Sequence, residues 1–269
     1  QGASAARNTG IALATCEWVS FLDSDDLWRP HHLEGMVGVL SRNGLDWAFA
    51  EHDTTRDGQS VETEDATWRS LLAGGEVFAS FFDAWASDFS FHTDALVVRR
   101  RILEEVGAFS REFIVGEDID LWFKIAHRYP RVGVLRPPSV VYRKRQGSLM
   151  KVYGDRADTF YRLLARHHEM ASSYGDAAAA RFRPAAQRLA ARVLSRALWT
   201  EDMQLVGTLL RDWPQYLDRR RGVAAAALRF PRATATLIRC RRLAARGRAL
   251  LRGAAGVPCR VFDALRRNR

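Results

Sequence analysis

Two acidic clusters in this sequence have the residue types and spacing to do chemistry. Asp23-Ser24-Asp25-Asp26 follows directly on the apolar run at residues 18–22, and Gly116-Glu117-Asp118-Ile-Asp120 precedes Leu121-Trp122-Phe123. The run at 18–22 is β-branched and aromatic, which predicts a buried strand. Side chains alternate along extended backbone, so Asp23 and Asp25 are expected to point to one side at the strand's end. Two carboxylates so placed repel each other unless a cation lies between them. An all-oxygen donor set suits Mg²⁺ or Mn²⁺, ions that also take phosphate oxygens. The plainer alternative is an acidic turn in which Asp25 or Asp26 caps the helix that Pro30 opens. Glu117 and Asp118 fall in the first turn of a helix predicted over 117–127, with Ile119, Trp122, Phe123 and Ala126 at helical spacing. Carboxylates are favoured there by free backbone donors and the helix dipole, so simple capping is again the alternative.

The flanks of both clusters carry a resemblance. Gln1-Gly-Ala-Ser-Ala-Ala-Arg7-Asn8-Thr9-Gly10, followed by Phe21-Leu-Asp-Ser-Asp-Asp26, resembles the G-x-s-x-A-R-N-x-G helix and D-x-D-D strand end of family 2 glycosyltransferases with the GT-A fold. Gly107-Ala-Phe109 and Gly116-Glu117-Asp118-Ile-Asp120-Leu121-Trp122 resemble that family's G-x-F and E-D-x-D-L-W segments, in the family's order. Four segments in order are far more specific than any one of them. The resemblance covers roughly residues 1–150 and is silent on 151–269.

What the resemblance implies is concrete. The fold would be α/β: a GT-A domain over 1–150, with a Rossmann-like mixed sheet flanked by helices. The activity would be inverting transfer of a sugar from a nucleotide-diphosphate donor to an acceptor hydroxyl, in cell-envelope or polysaccharide biosynthesis. A hydroxyl is a poor nucleophile until a positioned base takes its proton. The diphosphate leaving group needs a divalent metal and basic residues against its developing charge. The resemblance assigns the base to Asp118 with Glu117 in support, the Mg²⁺ or Mn²⁺ to Asp23 and Asp25, and the donor's diphosphate to the neighbourhood of Arg7 and Asn8. Trp122 is expected to pack the helix down. Relatives commonly show Y-R-x-H-x-x-S, whose histidine completes the metal site; here Tyr142-Arg143-Lys144-Arg145 places Arg145 at that position. Arginine cannot ligate a metal but pairs well with a diphosphate, so Arg145 is expected on the donor. No Q-x-x-R-W signature is present, which argues against a polymerising, membrane-embedded synthase. The family's opening strand–helix–strand, with its base-contacting aspartate, has no counterpart after Gln1. The domain is therefore expected to be N-terminally incomplete, which puts the activity of the chain as it starts here in question.

Composition bounds the partners. The formal net charge is +10, with the excess mainly in the C-terminal third, which points to anionic partners. The three cysteines, Cys16, Cys240 and Cys259, form neither a C-x-x-C pair nor a disulfide framework, as suits a reducing compartment. No apolar run approaches the ~20 residues of a membrane span and no signal peptide opens the sequence. A cytoplasmic chain, peripheral at the inner face of the membrane, is the expectation.

The remaining elements must position these groups. Helices are predicted over 3–14, 30–40 and from 99 to Gly107, and strands over 46–50, 94–98, 132–135 and 139–142, the last two around Pro137-Pro138. Residues 53–65 read as a loop or hairpin. His31 and His32 are expected to face solvent or the cleft rim, and Arg99-Arg100-Arg101 to form a solvated face. Trp68, Phe78, Phe82 and Trp85 are candidates for a sugar-stacking platform, against the ordinary alternative of core packing. From residue 153 strands vanish, and helices are predicted over 158–172, 177–199 and 203–211. The Ala/Arg-rich tail at 219–269 suits amphipathic helices on an acidic membrane surface, or an ordinary helical appendage with a basic face. Three function classes follow: the glycosyltransferase, using a nucleotide-sugar donor and a saccharide or lipid-linked acceptor; a non-catalytic glycan- or nucleotide-binding remnant of one; and a nucleic-acid-binding protein. The last is not expected, because no reader motif or aromatic-interleaved basic strand is present.

Overall fold

The computed structural model describes residues 2–56, 75–87, 89–144 and 156–238. Helix α1 (Ala3–Leu13) leads into β1 (Trp18–Ser20), β2 (Leu27–Trp28), α2 (His32–Asn43) and β3 (Trp47–Arg56). Then follow β4 (Gly75–Phe78), α3 (Phe81–Ala86), a 3₁₀ turn (Thr93–Ala95), β5 (Leu96–Arg99), α4 (Arg100–Val106), α5 (Glu117–Arg128) and β6 (Val132–Lys144). The C-terminal part is helical: α6 (Ala157–Ser173), α7 (Asp176–Thr200), α8 (Met203–Asp212), a 3₁₀ turn (Pro214–Tyr216) and α9 (Arg220–Arg229).

The strands form one mixed sheet in the order β1-β5-β3-β6-β2, with β4 also pairing β6. β3 and β6 run parallel, and the other pairs are antiparallel. The two strands expected around Pro137-Pro138 are a single strand. Proline cannot donate to a ladder, so the chain keeps its direction and shifts register between Ala50 and His52 of β3. That shift lets one strand serve two partners, β4 along Val132–Leu135 and β2 at Val140 and Val141. β3 likewise runs on to Arg56 where a loop was expected from residue 53; the remainder of that segment lies outside the described residues.

His31 and His32 do not face solvent. They are 3% and 0% exposed, because the first turn of α2 lies against β6 rather than on the rim. His32 stacks on Trp28 at 4.6 Å and meets Ser139 Oγ through Nδ1 at 2.9 Å. Burial, with His31 beside it, pushes its pKa down to about 4. Of the aromatic candidates, Phe82 and Trp85 are core, at 1% and 5% exposure, Phe78 is half-buried, and Trp68 lies outside the described residues. Phe82 sits edge-on to both Phe123 and Phe182, each at 5.3 Å. That aromatic cluster joins the sheet domain to α7, so both parts of the chain share one continuous core. The arginine run is spent on surface ion pairs: Arg99 with Glu17 and Asp46, Arg100 with Glu104, Arg101 with Asp46 and Glu105.

Beneath α5 lies a buried ionic network. Asp120 is fully buried and faces Lys124 Nζ at 3.3 Å, Arg166 Nε at 3.2 Å and His167 Nε2 at 3.3 Å. Lys124 also donates to the Ala108 carbonyl at 2.5 Å, and His167 meets His127 at 3.4 Å. The net effect of these neighbours is to hold Asp120 below its ordinary pKa although burial opposes it. Arg166 and His167 belong to α6, so the network fastens the helical part to the helix that carries Glu117 and Asp118. Removing one partner of a buried ion set strands the others, at a cost of about 3–5 kcal/mol. Asp120→Ala is therefore expected to lower the Tm by roughly 10 °C in thermal melts, at about 2–4 °C per kcal/mol for a chain of this size. Asp120→Leu with Lys124→Met should recover much of that loss, because it removes charge and countercharge together. A single variant as stable as the native chain would show the network to be energetically idle.

Candidate active site

The D-x-D-D segment is a turn, and this corrects the expected arrangement. β1 stops at Ser20, and the Asp26 N–H donates to the Asp23 carbonyl at 3.0 Å. The period-two alternation that would have paired Asp23 with Asp25 has ended before it reaches them. A turn instead brings residues three apart together, here Asp23 and Asp26. Asp26 is 5% exposed, and its Oδ1 accepts from the Arg143 N–H at 2.7 Å. The Arg143 side chain donates to the Asp25 carbonyl, which ties the turn to β6.

The third member of this cluster is Asp94, from the 3₁₀ turn before β5. Carboxylate oxygens of Asp23, Asp26 and Asp94 lie within 4.8 Å of one another. Asp25 is not part of that group. Asp94 is 3% exposed, and its Oδ2 has no hydrogen-bond partner among the described residues. Burial, a hydrogen bond to Asp94 and its negative charge push the Asp26 pKa up to about 7. Burial raises Asp94 as well. Two buried carboxyls in contact cannot both ionise cheaply, so without a cation they share a proton. An orphaned carboxylate oxygen and an all-oxygen donor set fit a hard divalent ion. Three rings border the cluster: His52 lies 4.0 Å from His92, and His92 lies 4.8 Å from Tyr142. Burial keeps both histidines neutral, His52 with a pKa of about 4 and His92 also lowered. Asp94 and these rings were missed in the sequence. Asp94 stands at the head of an apolar run and reads there as the start of a strand, and the rings come from three distant segments.

Arg7 joins the two acidic clusters. Its guanidinium donates to Asp23 at 2.9 Å and to Glu117 at 3.1 Å, and lies over the Phe109 ring at 5.3 Å. Only 14% of its side chain is exposed. Asn8 commits both ends of its amide to the Phe109 backbone, donating to the carbonyl at 2.8 Å and accepting the N–H at 2.9 Å. It thereby fixes α1 to the Gly107-Ala-Phe109 segment and holds Arg7 in place. Gly116 opens the second cluster with φ of +87°, a conformation glycine adopts without strain. A Cβ there would sit 3.1 Å from Leu163 and 3.2 Å from Thr159, so α6 closes over the turn. Glu117 is pushed up to about 7 by burial and by Asp118, against the pull of Arg7. Asp118 Oδ1 accepts the Ile119 N–H at 2.7 Å, and enclosure of its carboxyl raises its pKa, while the residue as a whole is half-buried. Arg145 lies outside the described residues.

The sequence model described as "Glycosyltransferase like family 2" matches residues 1–176, well over half of the chain. The chain belongs to that family. Among curated members, the Escherichia coli UDP-Glc:alpha-D-GlcNAc-diphosphoundecaprenol beta-1,3-glucosyltransferase WfgD is 26% identical over 129 residues, covering 46% of this chain and 44% of its own. The Rhizobium meliloti succinoglycan biosynthesis protein ExoO is 28% identical over 158 residues, covering 56% and 45%. This glycosyltransferase-family chain thus spans under half the length of those relatives. Among solved structures, S. aureus TarS 1-349 in complex with UDP-GlcNAc superposes with a TM-score of 0.59 at 17% identity, over 87% of this chain and 68% of that one. That likeness shows the fold: the GT-A architecture, with helices following the sheet.

The Asp26–Asp94 pair gives a pH signature in metal-free buffer. The folded chain keeps the Asp26 proton up to about pH 7, whereas an unfolded aspartate releases it near pH 4. Folding is therefore penalised progressively as pH rises through that window. Asp26→Asn removes one titrating carboxyl, and its amide still accepts from the Arg143 N–H and donates to Asp94. The variant should match the native chain near pH 4 and melt about 2–4 °C higher at pH 8 for each kcal/mol released. A Tm difference independent of pH would contradict the shared proton.

Proposed function

We propose that this chain carries the catalytic part of an inverting glycosyltransferase that moves a sugar from a nucleoside-diphosphate donor to an acceptor hydroxyl. The observation that carries this reading is the Arg7 bridge, which draws the D-x-D-D turn and the Glu117-Asp118 turn to one cleft. Transfer with inversion needs a cation-binding acidic group on the diphosphate side and a base on the acceptor side. The two clusters are separate enough to divide those tasks and close enough to share a substrate.

Asp118 takes the acceptor's proton. Its raised pKa makes it a stronger base than an ordinary carboxylate, and it stands in the first turn of α5 beside Glu117, the residue that Arg7 ties to the D-x-D-D turn. Glu117, held by Arg7, fixes the orientation of the turn. Asp23, Asp26 and Asp94 would hold the divalent ion. When bound, Mg²⁺ or Mn²⁺ neutralises charge on the diphosphate leaving group. Arg7 adds fixed positive charge on that side, and Asn8 keeps it there. The names of the relatives support a uridine-diphosphate donor and a lipid-linked saccharide acceptor in polysaccharide assembly. Among the described residues no helix is long and apolar enough to cross a membrane, and a location at the inner membrane face suits such an acceptor.

Calorimetric titration of UDP and GDP, with and without Mn²⁺, tests the donor site. Metal-dependent binding of UDP is expected, and Asp23→Ala should weaken it at least tenfold. Asp118→Asn should leave that binding intact while lowering UDP release from UDP-sugars, in the presence of a lipid-linked acceptor extract, by about 10²–10⁴-fold. Absence of nucleotide binding under every condition would sink the proposal for this chain. Undiminished turnover in Asp118→Asn would remove Asp118 from its role.

A further inference from the structure

The positive charge of this chain is concentrated at one end. Of 41 Lys and Arg residues, 15 fall in residues 219–269, all of them Arg, against one of the 31 Asp and Glu residues. The preceding residues 1–218 therefore carry 26 basic against 30 acidic side chains, and the whole excess belongs to the last segment. The described part of that segment comprises α9 and the helical residues 231–238. Ala224, Ala227 and Ile238 are buried and seat it on the rest of the molecule. Arg219, Arg220, Arg221, Arg229 and Arg232 are all exposed.

Several arginines elsewhere on the surface are neutralised locally. Arg99, Arg100, Arg101, Arg136 and Arg166 each have a carboxylate partner. Arg219, Arg220, Arg221, Arg229 and Arg232 pair with no carboxylate among the described residues, and no acidic residue occurs between 219 and 238. Large apolar side chains stand exposed among them: Val223 at 54%, Leu228 at 37%, Phe230 at 57% and Leu237 at 59%. Arg229 lies over the Phe230 ring at 5.8 Å, but that contact leaves Phe230 and Leu237 more than half exposed beside arginines with no carboxylate partner. A surface that is both anionic and apolar at shallow depth satisfies both groups.

We propose that α9 and residues 231–238 form a docking surface for a bilayer of anionic phospholipids. Phe230 and Leu237 enter the boundary between headgroups and acyl chains, flanked by Val223 and Leu228, and the five arginines lie against lipid phosphates. A nucleic-acid backbone would accept the arginines but leave the apolar side chains in water, so the exposure pattern favours lipid. This gives the membrane location of the proposed function a physical surface, and it stands or falls separately from the transfer chemistry.

The test is co-sedimentation of the full chain with vesicles of phosphatidylcholine alone and with vesicles rich in phosphatidylglycerol, across a salt series. Binding to the anionic vesicles only, weakening as salt rises, is expected. The double variant Phe230→Ser, Leu237→Ser should cut that binding at least tenfold with an unchanged circular dichroism spectrum, because both side chains are already in solvent. The triple variant Arg219→Glu, Arg220→Glu, Arg221→Glu should cut it at least as far. Equal affinity for the two vesicle types, or anionic binding indifferent to the apolar double variant, would overturn the assignment. Tighter binding to a random DNA duplex than to anionic vesicles, unaffected by Phe230→Ser, would replace lipid with nucleic acid as the partner.

Discussion

The candidate site depends on one guanidinium. Arg7 touches Asp23 and Glu117, residues from segments that share no strand pairing and lie 94 positions apart in the chain. Without that cation the cleft would hold at least six carboxyl groups, Asp23, Asp25, Asp26, Asp94, Glu117 and Asp118, with nothing of opposite sign at its centre. Mutual repulsion would then push both turns apart or leave their members protonated. Arg suits the position because its planar fork reaches two carboxylates at once and it keeps its charge when half-buried. The fold reinforces the placement from behind: Asn8, one residue on, is clamped to the Phe109 backbone, and the Phe109 ring lies under the guanidinium.

That balance leaves the site strained in a useful direction. Arg7 offsets only part of the acidity, and Asp26, Asp94, Glu117 and Asp118 all have raised pKa values in the absence of a cation. Carboxyls held above their ordinary values and a carboxyl pair sharing a proton are arrangements that added positive charge would relieve. They also cost stability, which other parts of the chain must supply. The aromatic cluster of Trp47, Phe49, Phe81, Phe82, Phe123 and Phe182 is the obvious source, since fully burying each such side chain contributes roughly 1.5–3 kcal/mol.

Much of the fold could be read in the sequence because local signals and tertiary context agreed. The helices at α1, α5, α6, α7 and α8 follow from composition and 3.6-residue periodicity, and Gly107 and Gly116 mark the turns that bound two segments. The readings that missed did so where a long-range contact decided the outcome. His31 and His32 look like first-turn polar residues until β6, more than a hundred positions later, closes over them. Asp25 looked like a partner of Asp23 because alternation was carried beyond the residue at which β1 stops. Asp94 carried no local signal at all, since its role comes from lying beside Asp26, and that proximity is set by the strand order β1-β5-β3-β6-β2.

The same logic bears on the helical part. Read as sequence it is an Ala- and Arg-rich appendage, yet α6 closes over Gly116 and supplies Arg166 and His167 to the buried charge of Asp120. Asp120 lies two residues from Asp118, on the same first turns of α5. A buried carboxylate surrounded by three basic groups tolerates little displacement, because any shift of the helix exposes an unpaired charge to a low-dielectric interior. Holding Asp120 therefore also holds the turn that presents Asp118. The C-terminal helices reach the acidic turn through this anchor. The family match points the same way by running past residue 150 to 176, across the whole of α6. A boundary drawn where the strands end would cut the acidic turn from the helix that steadies it.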